Sequence, residues 1–225
     1  MIDNLFHEMG HAMHSMLART KYQHVTGTRT ATDFAEVPST LMEYFASDPR
    51  VLHEISHHFQ SGEKIPENVL QKFVTARKVF MGPDLQSQLC YSLLDQKLHR
   101  DLPMTGSTTD IMREIHTEHH NLPFAEGTAW QHRFSHLVGY GARYYSYLLA
   151  RSVASNIWQK LFRDDPFDSS RGAIFRNKCL AHGGGKPSAH IISDLLEQDV
   201  EPIDLADALL SEIDEKQQMV QLMTK

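Results

Sequence analysis

The stretch His7-Glu8-Met9-Gly10-His11 sets the architecture of this chain, because it has the form H-E-x-x-H. On an α-helix, side chains four residues apart share one face with Cβ atoms roughly 5–6 Å apart, so both imidazoles can reach one metal ion. Glu8 points about 100° around the helix and can approach water beside that ion. Apolar residues recur here at helical intervals, and a cap at Asp3 or Asn4 is expected: Leu5, Phe6, Met9, Met13, Met16 and Leu17.

A catalytic zinc site needs a third protein ligand and one open position. Glu36 is the candidate, because it begins a second helical pattern and a glutamate on a second helix completes a His₂Glu site. Asp33-x-x-Glu36 also fits a capping box, in which Glu36 would only close a helix end. Pro38 argues against a helix that begins as early as Asp33, so the ligand role is favoured. The predicted metal ligands are therefore His7, His11 and Glu36.

The composition indicates a globular protein without an obvious nucleic-acid partner. The 225 residues are 41% hydrophobic and 22% charged, and the formal charge is −6. Cys90 and Cys179 lie far apart and form no C-x-x-C motif, which argues against a disulfide framework. No apolar run reaches the roughly 18 residues of a membrane span. Acidic residues at positions 3 and 8 argue against a targeting segment at the N-terminus.

Helical periodicity dominates the rest of the chain and predicts a mainly α fold. Residues 23–29 are expected to be extended or loop, and residues 121–143 irregular. Met81-Gly82-Pro83 is expected to separate two helices. Helices are predicted from Ser39 to the residue before Asp48, and over 50–60, 67–80, 84–99, 110–119, 144–162, 169–181, 187–197 and 202–222.

Several separated blocks resemble the thimet-oligopeptidase-like zinc metallopeptidases. They are the run from His7 to His14, the pair Gly27-Thr28, the run Asp33-Phe34-Ala35-Glu36-Val37-Pro38-Ser39, and the stretch from His136 to Tyr147, which is similar to the family's substrate loop. The resemblance covers nearly the whole chain, although it thins beyond residue 165. It is closest to the branch that trims octapeptides from imported mitochondrial precursors. The loop departs from other branches, which carry two glycines where this chain has Gly139-Tyr140.

The resemblance implies a zincin-type helical catalytic half-domain, with an H-E-x-x-H helix and a second ligand-bearing helix. Residues 1–225 would be the C-terminal catalytic region, incomplete relative to the full family domain, whose N-terminal half walls a substrate channel. It implies a zinc cofactor, a peptide substrate and the mitochondrial matrix. The charge and the lack of a long apolar run predict no nucleic-acid and no membrane partner. The chain would be a monomer or would associate with the missing N-terminal half.

Residue roles follow from this match. Glu8 is expected to be the general base, with Tyr140, Tyr147 and His136 as further catalytic residues. Substrate contacts are expected at Gly27, Thr28 and Tyr144. The alternative for the tyrosines is aromatic core on a helix, and this alternative is favoured for Tyr145.

Residues around the ligands can also be assigned. A ligating histidine usually donates its second N–H to a carboxylate, and Glu43 is the first candidate, followed by Asp33. A plain solvated glutamate is an equal alternative for Glu43. His14 shares the face of the two ligands but is expected to be packed, because a fourth protein ligand would close the site.

Two hypotheses of different classes remain. The first is a zinc metalloendopeptidase that hydrolyses short or unfolded peptides. The second is a catalytically incompetent helical fragment, which binds zinc or a partner but lacks half of the channel.

Overall fold

The computed structural model describes residues 1–77, 79–100 and 106–223, with side chains as far as residue 214. This part of the chain is helical and contains no strand. The helices are α1 (Ile2–Leu17), α2 (Thr32–Ala35), α3 (Val37–Ser47), α4 (Pro49–Ile55), α5 (Glu67–Ala76), α6 (Met81–Arg100), α7 (Thr108–His119), α8 (His136–Gly139), α9 (Tyr145–Ile157), α10 (Ser169–Lys178), α11 (Ser188–Leu196) and α12 (Pro202–Met223). Short 3₁₀ turns cover Gln23–Val25, Trp130–Arg133 and Leu180–His182, and a π segment covers Trp158–Phe162.

The mainly α prediction is confirmed, but several boundaries differ. α1 begins at Ile2 with no side-chain cap, so the expected cap at Asp3 or Asn4 is wrong. α6 begins at Met81, so Met81-Gly82-Pro83 does not separate two helices. A proline in the first turn is tolerated, since its missing N–H has no partner there anyway.

Other predicted segments are shorter or more structured than expected. The helix expected over 50–60 ends at Ile55. The helix expected over 144–162 is α9 followed by the π segment. The stretch 121–143 contains a 3₁₀ turn and α8, and residues 23–25 form a 3₁₀ turn within a segment expected to be extended or loop. None of the helices in the described part is long and apolar enough to cross a membrane.

The chain divides into two compact units, which are described separately. The first comprises residues 1–79 together with the chain from residue 149 onward, and the second comprises residues 80–148. The core of the first unit joins α3, α9, α10 and α11. Its buried members include Phe34, Val37, Leu41, Val153, Ile157, Phe175, Leu180, Ile191 and Leu195.

Helices α1 and α3 approach each other closely at Gly10. A Cβ added to Gly10 would lie 2.5 Å from the Ser39 Cα and 2.7 Å from the Pro38 carbonyl oxygen. No larger residue fits without moving one of the helices, because real Cβ atoms essentially never approach so closely. The glycine of the H-E-x-x-H motif therefore sets the spacing of the two helices.

The second unit is built on α6 and α7. Its buried cluster comprises Cys90, Leu94, Ile111, Met112 and Ile115, with partly buried apolar residues packed around it. A stacked aromatic pair, Tyr91 and Trp130, extends this packing, with ring centroids 4.2 Å apart.

Candidate metal centre and substrate segment

The three predicted metal ligands lie together in the first unit. α1 presents His7 and His11 one turn apart, and Glu36 lies at the start of α3. One ligand atom from each residue lies within 4.8 Å of the other two. All three side chains are between 21% and 26% exposed, so solvent and a ligand can reach them.

The ligand separations suit a tetrahedral metal ion. The Glu36 Oε2 atom lies 3.3 Å from His7 Nε2 and 3.3 Å from His11 Nε2. Two atoms bound to zinc at about 2.1 Å and a tetrahedral angle lie roughly 3.4 Å apart. The observed separations match this value and slightly exceed those of ordinary N–H···O hydrogen bonds. Two imidazoles and one carboxylate are also the donors that catalytic zinc prefers.

Glu43 fixes the orientation of His7. Its Oε1 lies 2.6 Å from His7 Nδ1, and a carboxylate accepts there, so Nδ1 carries the hydrogen. The lone pair of His7 Nε2 is then directed towards Glu36 and a metal ion. This geometry fits the orienting role predicted for Glu43 and disagrees with a plain solvated glutamate.

His11 and Glu36 also interact electrostatically with each other. Their hydrogen bond raises the pKa of the His11 imidazole and lowers the pKa of the Glu36 carboxyl. His11 Nδ1 and Asp33 Oδ1 are buried, and neither has a hydrogen-bond partner in the described part of the chain. Asp33 therefore shows no contact that would orient a ligating histidine.

The capping-box alternative for Glu36 is wrong. The N-cap residue of α2 is Ala31, and Glu36 lies between α2 and α3 without capping either through its side chain. The Glu36 carboxylate instead accepts a hydrogen bond from the Ser39 hydroxyl at 3.1 Å. The carboxylate is thus held beside the two imidazoles.

Two other residues of the motif helix have distinct environments. Glu8 is exposed, and its carboxylate has no hydrogen-bond or ion-pair partner among the described residues. It is free to interact with water or substrate. His14 is completely buried, as expected for a packed residue, and its ring lies edge-on to Phe34. Burial lowers the pKa of His14 to about 4, which keeps the ring neutral.

Gly27 and Thr28 also lie in the first unit. Gly27 is buried, has φ +54°, and a Cβ there would lie 2.6 Å from the Ser15 Cα. This close packing is enough to explain why position 27 is a glycine, and no substrate contact is needed to explain it. The substrate contacts predicted for Gly27 and Thr28 stay predictions.

The remaining predicted site residues cluster within the second unit. His136 Nε2 lies 3.3 Å from the Tyr147 hydroxyl, and the His136 ring packs against Tyr140 and Tyr144. Tyr140 is 57% exposed and Tyr147 39% exposed. These two side chains are accessible to a bound peptide.

Tyr144 and Tyr145 have environments that differ from those of Tyr140 and Tyr147. The Tyr144 hydroxyl donates to Gln88 Oε1 at 2.8 Å, and burial raises the pKa of Tyr144 to about 12. Its hydroxyl is therefore already engaged within the protein. Tyr145 is 40% exposed, so its assignment to the aromatic core is wrong.

Sequence reasoning missed two residues that support this segment. Asp95 is buried and accepts backbone hydrogen bonds from Ala142 and Tyr144, and His99 contacts both Asp95 and Leu137. The available signal was a carboxylate directly after the apolar pair Leu93-Leu94 of α6.

Comparisons with known proteins agree with the resemblance. The sequence model of Peptidase family M3 matches residues 1–210. The mitochondrial intermediate peptidase of Homo sapiens is 51% identical over 214 residues, which cover 95% of this chain and 30% of that protein. The protein of the same name from Mycosarcoma maydis is 46% identical over 205 residues, which cover 88% of this chain and 23% of that protein. The protein from Arabidopsis thaliana is 43% identical over 200 residues, which cover 88% of this chain and 28% of that protein. The chain thus spans less than a third of the length of these relatives.

Proposed function

Since the chain belongs to peptidase family M3, we propose that it carries the zinc centre of a metalloendopeptidase that hydrolyses short or unfolded peptides. The observation that carries this proposal is the convergence of His7, His11 and Glu36, with ligand atoms within 4.8 Å of one another. A zinc ion held there would polarise a peptide carbonyl and lower the pKa of water. The orientation of His7 by Glu43 supports the ligand assignment.

Glu8 is the proposed general base. It follows His7 directly in α1, is exposed, and has no partner among the described residues that would neutralise it. Its carboxylate accepts a proton from the water that attacks the peptide carbonyl. It then donates this proton to the nitrogen of the leaving amine.

The proposed substrate contacts come from the match to the family's substrate loop. Tyr140 and Tyr147 hydroxyls would donate to the oxygen that gains negative charge, and His136 would contact the peptide beside them. Loss of one such donor typically lowers kcat by about 100- to 1,000-fold. Exposure of both tyrosines supports this assignment. Tyr144, Gly27 and Thr28 are proposed as further substrate contacts.

The biological role is proposed from the relatives' names. The relatives are named mitochondrial intermediate peptidase. From this name we propose that the chain is mitochondrial and processes imported precursors. The family match favours this role over a catalytically incompetent fragment. Size-exclusion chromatography would distinguish a monomer from a complex with a separate N-terminal half. The chain is run alone and then mixed with that half.

Zinc binding is tested by titration of the purified chain against a competing chelator. We expect one zinc ion per chain, and weak or no binding by His7→Ala and Glu36→Gln. Glu114→Gln, an exposed carboxylate of α7, is the control and should bind as the unmodified chain does. Full zinc affinity in His7→Ala would contradict the proposed ligand set.

Hydrolysis is tested with a quenched fluorescent peptide. Glu8→Gln should bind zinc normally and lose nearly all cleavage. Tyr140→Phe should lower kcat, whereas Tyr145→Phe, a neighbouring exposed tyrosine, is the control. Equal cleavage by Glu8→Gln and the unmodified chain would rule out Glu8 as the base. Stoichiometric zinc binding without cleavage would favour the incompetent fragment.

A further inference from the structure

A buried carboxylate in the second unit is hydrogen-bonded to the segment 137–144. Asp95, on α6, is 1% exposed. Its Oδ1 accepts from the Ala142 backbone N–H at 2.9 Å, and its Oδ2 accepts from the Tyr144 backbone N–H at 2.8 Å. A buried carboxylate is unfavourable unless its oxygens are hydrogen-bonded and its charge is compensated. The two backbone amides supply one bond to each oxygen.

His99, one turn further along α6, completes this arrangement. Its Nδ1 lies 3.0 Å from Asp95 Oδ1 and 2.8 Å from the Asp95 carbonyl oxygen, while its Nε2 lies 3.1 Å from the Leu137 carbonyl oxygen. Both ring nitrogens thus face oxygen atoms of the protein. Through these contacts His99 ties α6 to the start of the segment.

The segment also depends on close packing against His99. A Cβ on Gly141 would lie 2.4 Å from His99 Nε2, so a larger residue there would displace the His99 ring. The next residue, Ala142, has φ +61°, a conformation that residues with a Cβ rarely adopt. Such a conformation persists only where surrounding contacts hold it. The Asp95 bond to Ala142 N–H and a bond from Gln96 Nε2 to the Ala142 carbonyl oxygen, at 3.0 Å, provide those contacts.

Asp95 and His99 share one side of α6, since they are four residues apart. The adjacent Gln96 also reaches the segment, through the Ala142 carbonyl oxygen. They hold the chain between Leu137 and Tyr144. Tyr140 lies within this segment and Tyr147 lies three residues beyond it. The exposed Tyr140 side chain thus belongs to a segment whose backbone is hydrogen-bonded to α6 at both ends.

We propose that Asp95 and His99 are positioning residues that hold the segment 137–144 so that Tyr140 is aimed at the peptide substrate. The catalytic consequence rests on the proposed function, in which Tyr140 contacts the substrate. The anchoring itself is independent of it. The ligand is a peptide, and the positioned group is the hydroxyl that donates to the oxygen gaining negative charge.

The anchoring is tested by amide hydrogen exchange in the full chain. In Asp95→Asn, which keeps the shape but loses the charge and one acceptor, the amides of Ala142 and Tyr144 should exchange at least tenfold faster. His99→Ala, at an exposed position, should have the same effect on this segment. Glu114→Gln is the control for loss of one carboxylate in the same unit. Unchanged exchange in both Asp95→Asn and His99→Ala would overturn the proposal.

The positioning role is tested by kinetics on the quenched peptide. Asp95→Asn should lower kcat at least tenfold with KM changed less than threefold, since the Tyr140 hydroxyl donates to an oxygen that gains negative charge only during the reaction. In a Tyr140→Phe background, Asp95→Asn should lower kcat less than threefold, because Asp95 acts through Tyr140. Faster exchange with full kcat, or additive effects of the two substitutions, would overturn the positioning role. Cleavage that survives Glu8→Gln would instead refute the proposed function, and the exchange measurement would still decide the anchoring.

Discussion

Replacement of Gly10 by alanine should weaken zinc binding, although Gly10 ligates nothing. The added methyl group would lie 2.5 Å from the Ser39 Cα and 2.7 Å from the Pro38 carbonyl oxygen. Non-bonded carbon atoms prefer about 3.5–4.0 Å, so α1 and α3 must separate by roughly 1 Å. Glu36 precedes this contact by two residues and moves with α3. A metal site tolerates only about 0.2 Å in its ligand distances.

Two opposing effects set the change in stability. Alanine in a helix interior is favoured over glycine by about 0.5–1 kcal/mol. Overpacking of a close contact costs about 1–3 kcal/mol, and contact with backbone atoms that cannot rotate away belongs at the upper end. The net loss in the free energy of unfolding is therefore ~2 kcal/mol. Zinc affinity should fall about 10- to 100-fold, as it does when a ligand loses its orienting partner.

Chelator-competed zinc titration and urea unfolding measure the two effects of Gly10→Ala. Gly172→Ala is the matched control, because Gly172 lies in α10 and an added Cβ meets nothing within 4 Å. This variant should gain about 0.5–1 kcal/mol and keep normal zinc affinity. If Gly10→Ala matched Gly172→Ala in both measurements, the close approach of α1 and α3 would not be what places Glu36.

Three further predictions concern single side chains. Glu43→Gln should lower zinc affinity about tenfold in a chelator titration, because His7 loses its charged acceptor; unchanged affinity would exclude the orienting role. Since the pKa of His14 is about 4 in the folded chain and about 6.5 unfolded, the unfolded state binds the extra proton between these values. The free energy of unfolding should therefore fall by ~2 kcal/mol from pH 7 to pH 5 on account of His14. Urea unfolding at the two pH values should show this contribution in the unmodified chain and not in His14→Leu. The same pH dependence in both would contradict the prediction. Cys90 and Cys179 are buried, and burial raises the pKa of both thiols, so a thiol reagent should label them only upon unfolding; rapid labelling of the native chain would refute this.

Local spacing explains what could be predicted from the sequence. The pair His7 and His11 is defined by one helical turn, and the relation of Glu43 to Glu36 by two turns of a neighbouring helix. Helix ends were less predictable, since Pro83 falls in the first turn of α6 rather than in a break. The exposure of Tyr145 was also missed, because an aromatic residue at a helix start carries no local signal of burial.

The contacts that could not be predicted join residues distant in sequence. Asp95 bonds amides 47 and 49 residues away, and no periodicity connects α6 with them. Gly10 illustrates the same point within the motif itself, where only the histidines and the glutamate are specified. The structure gives the second variable position a role, because its glycine lets α3 approach until the Glu36 carboxylate lies 3.3 Å from both imidazoles. The motif therefore supplies two ligands by helical spacing, and the third depends on a helix contact that only a residue without a side chain permits.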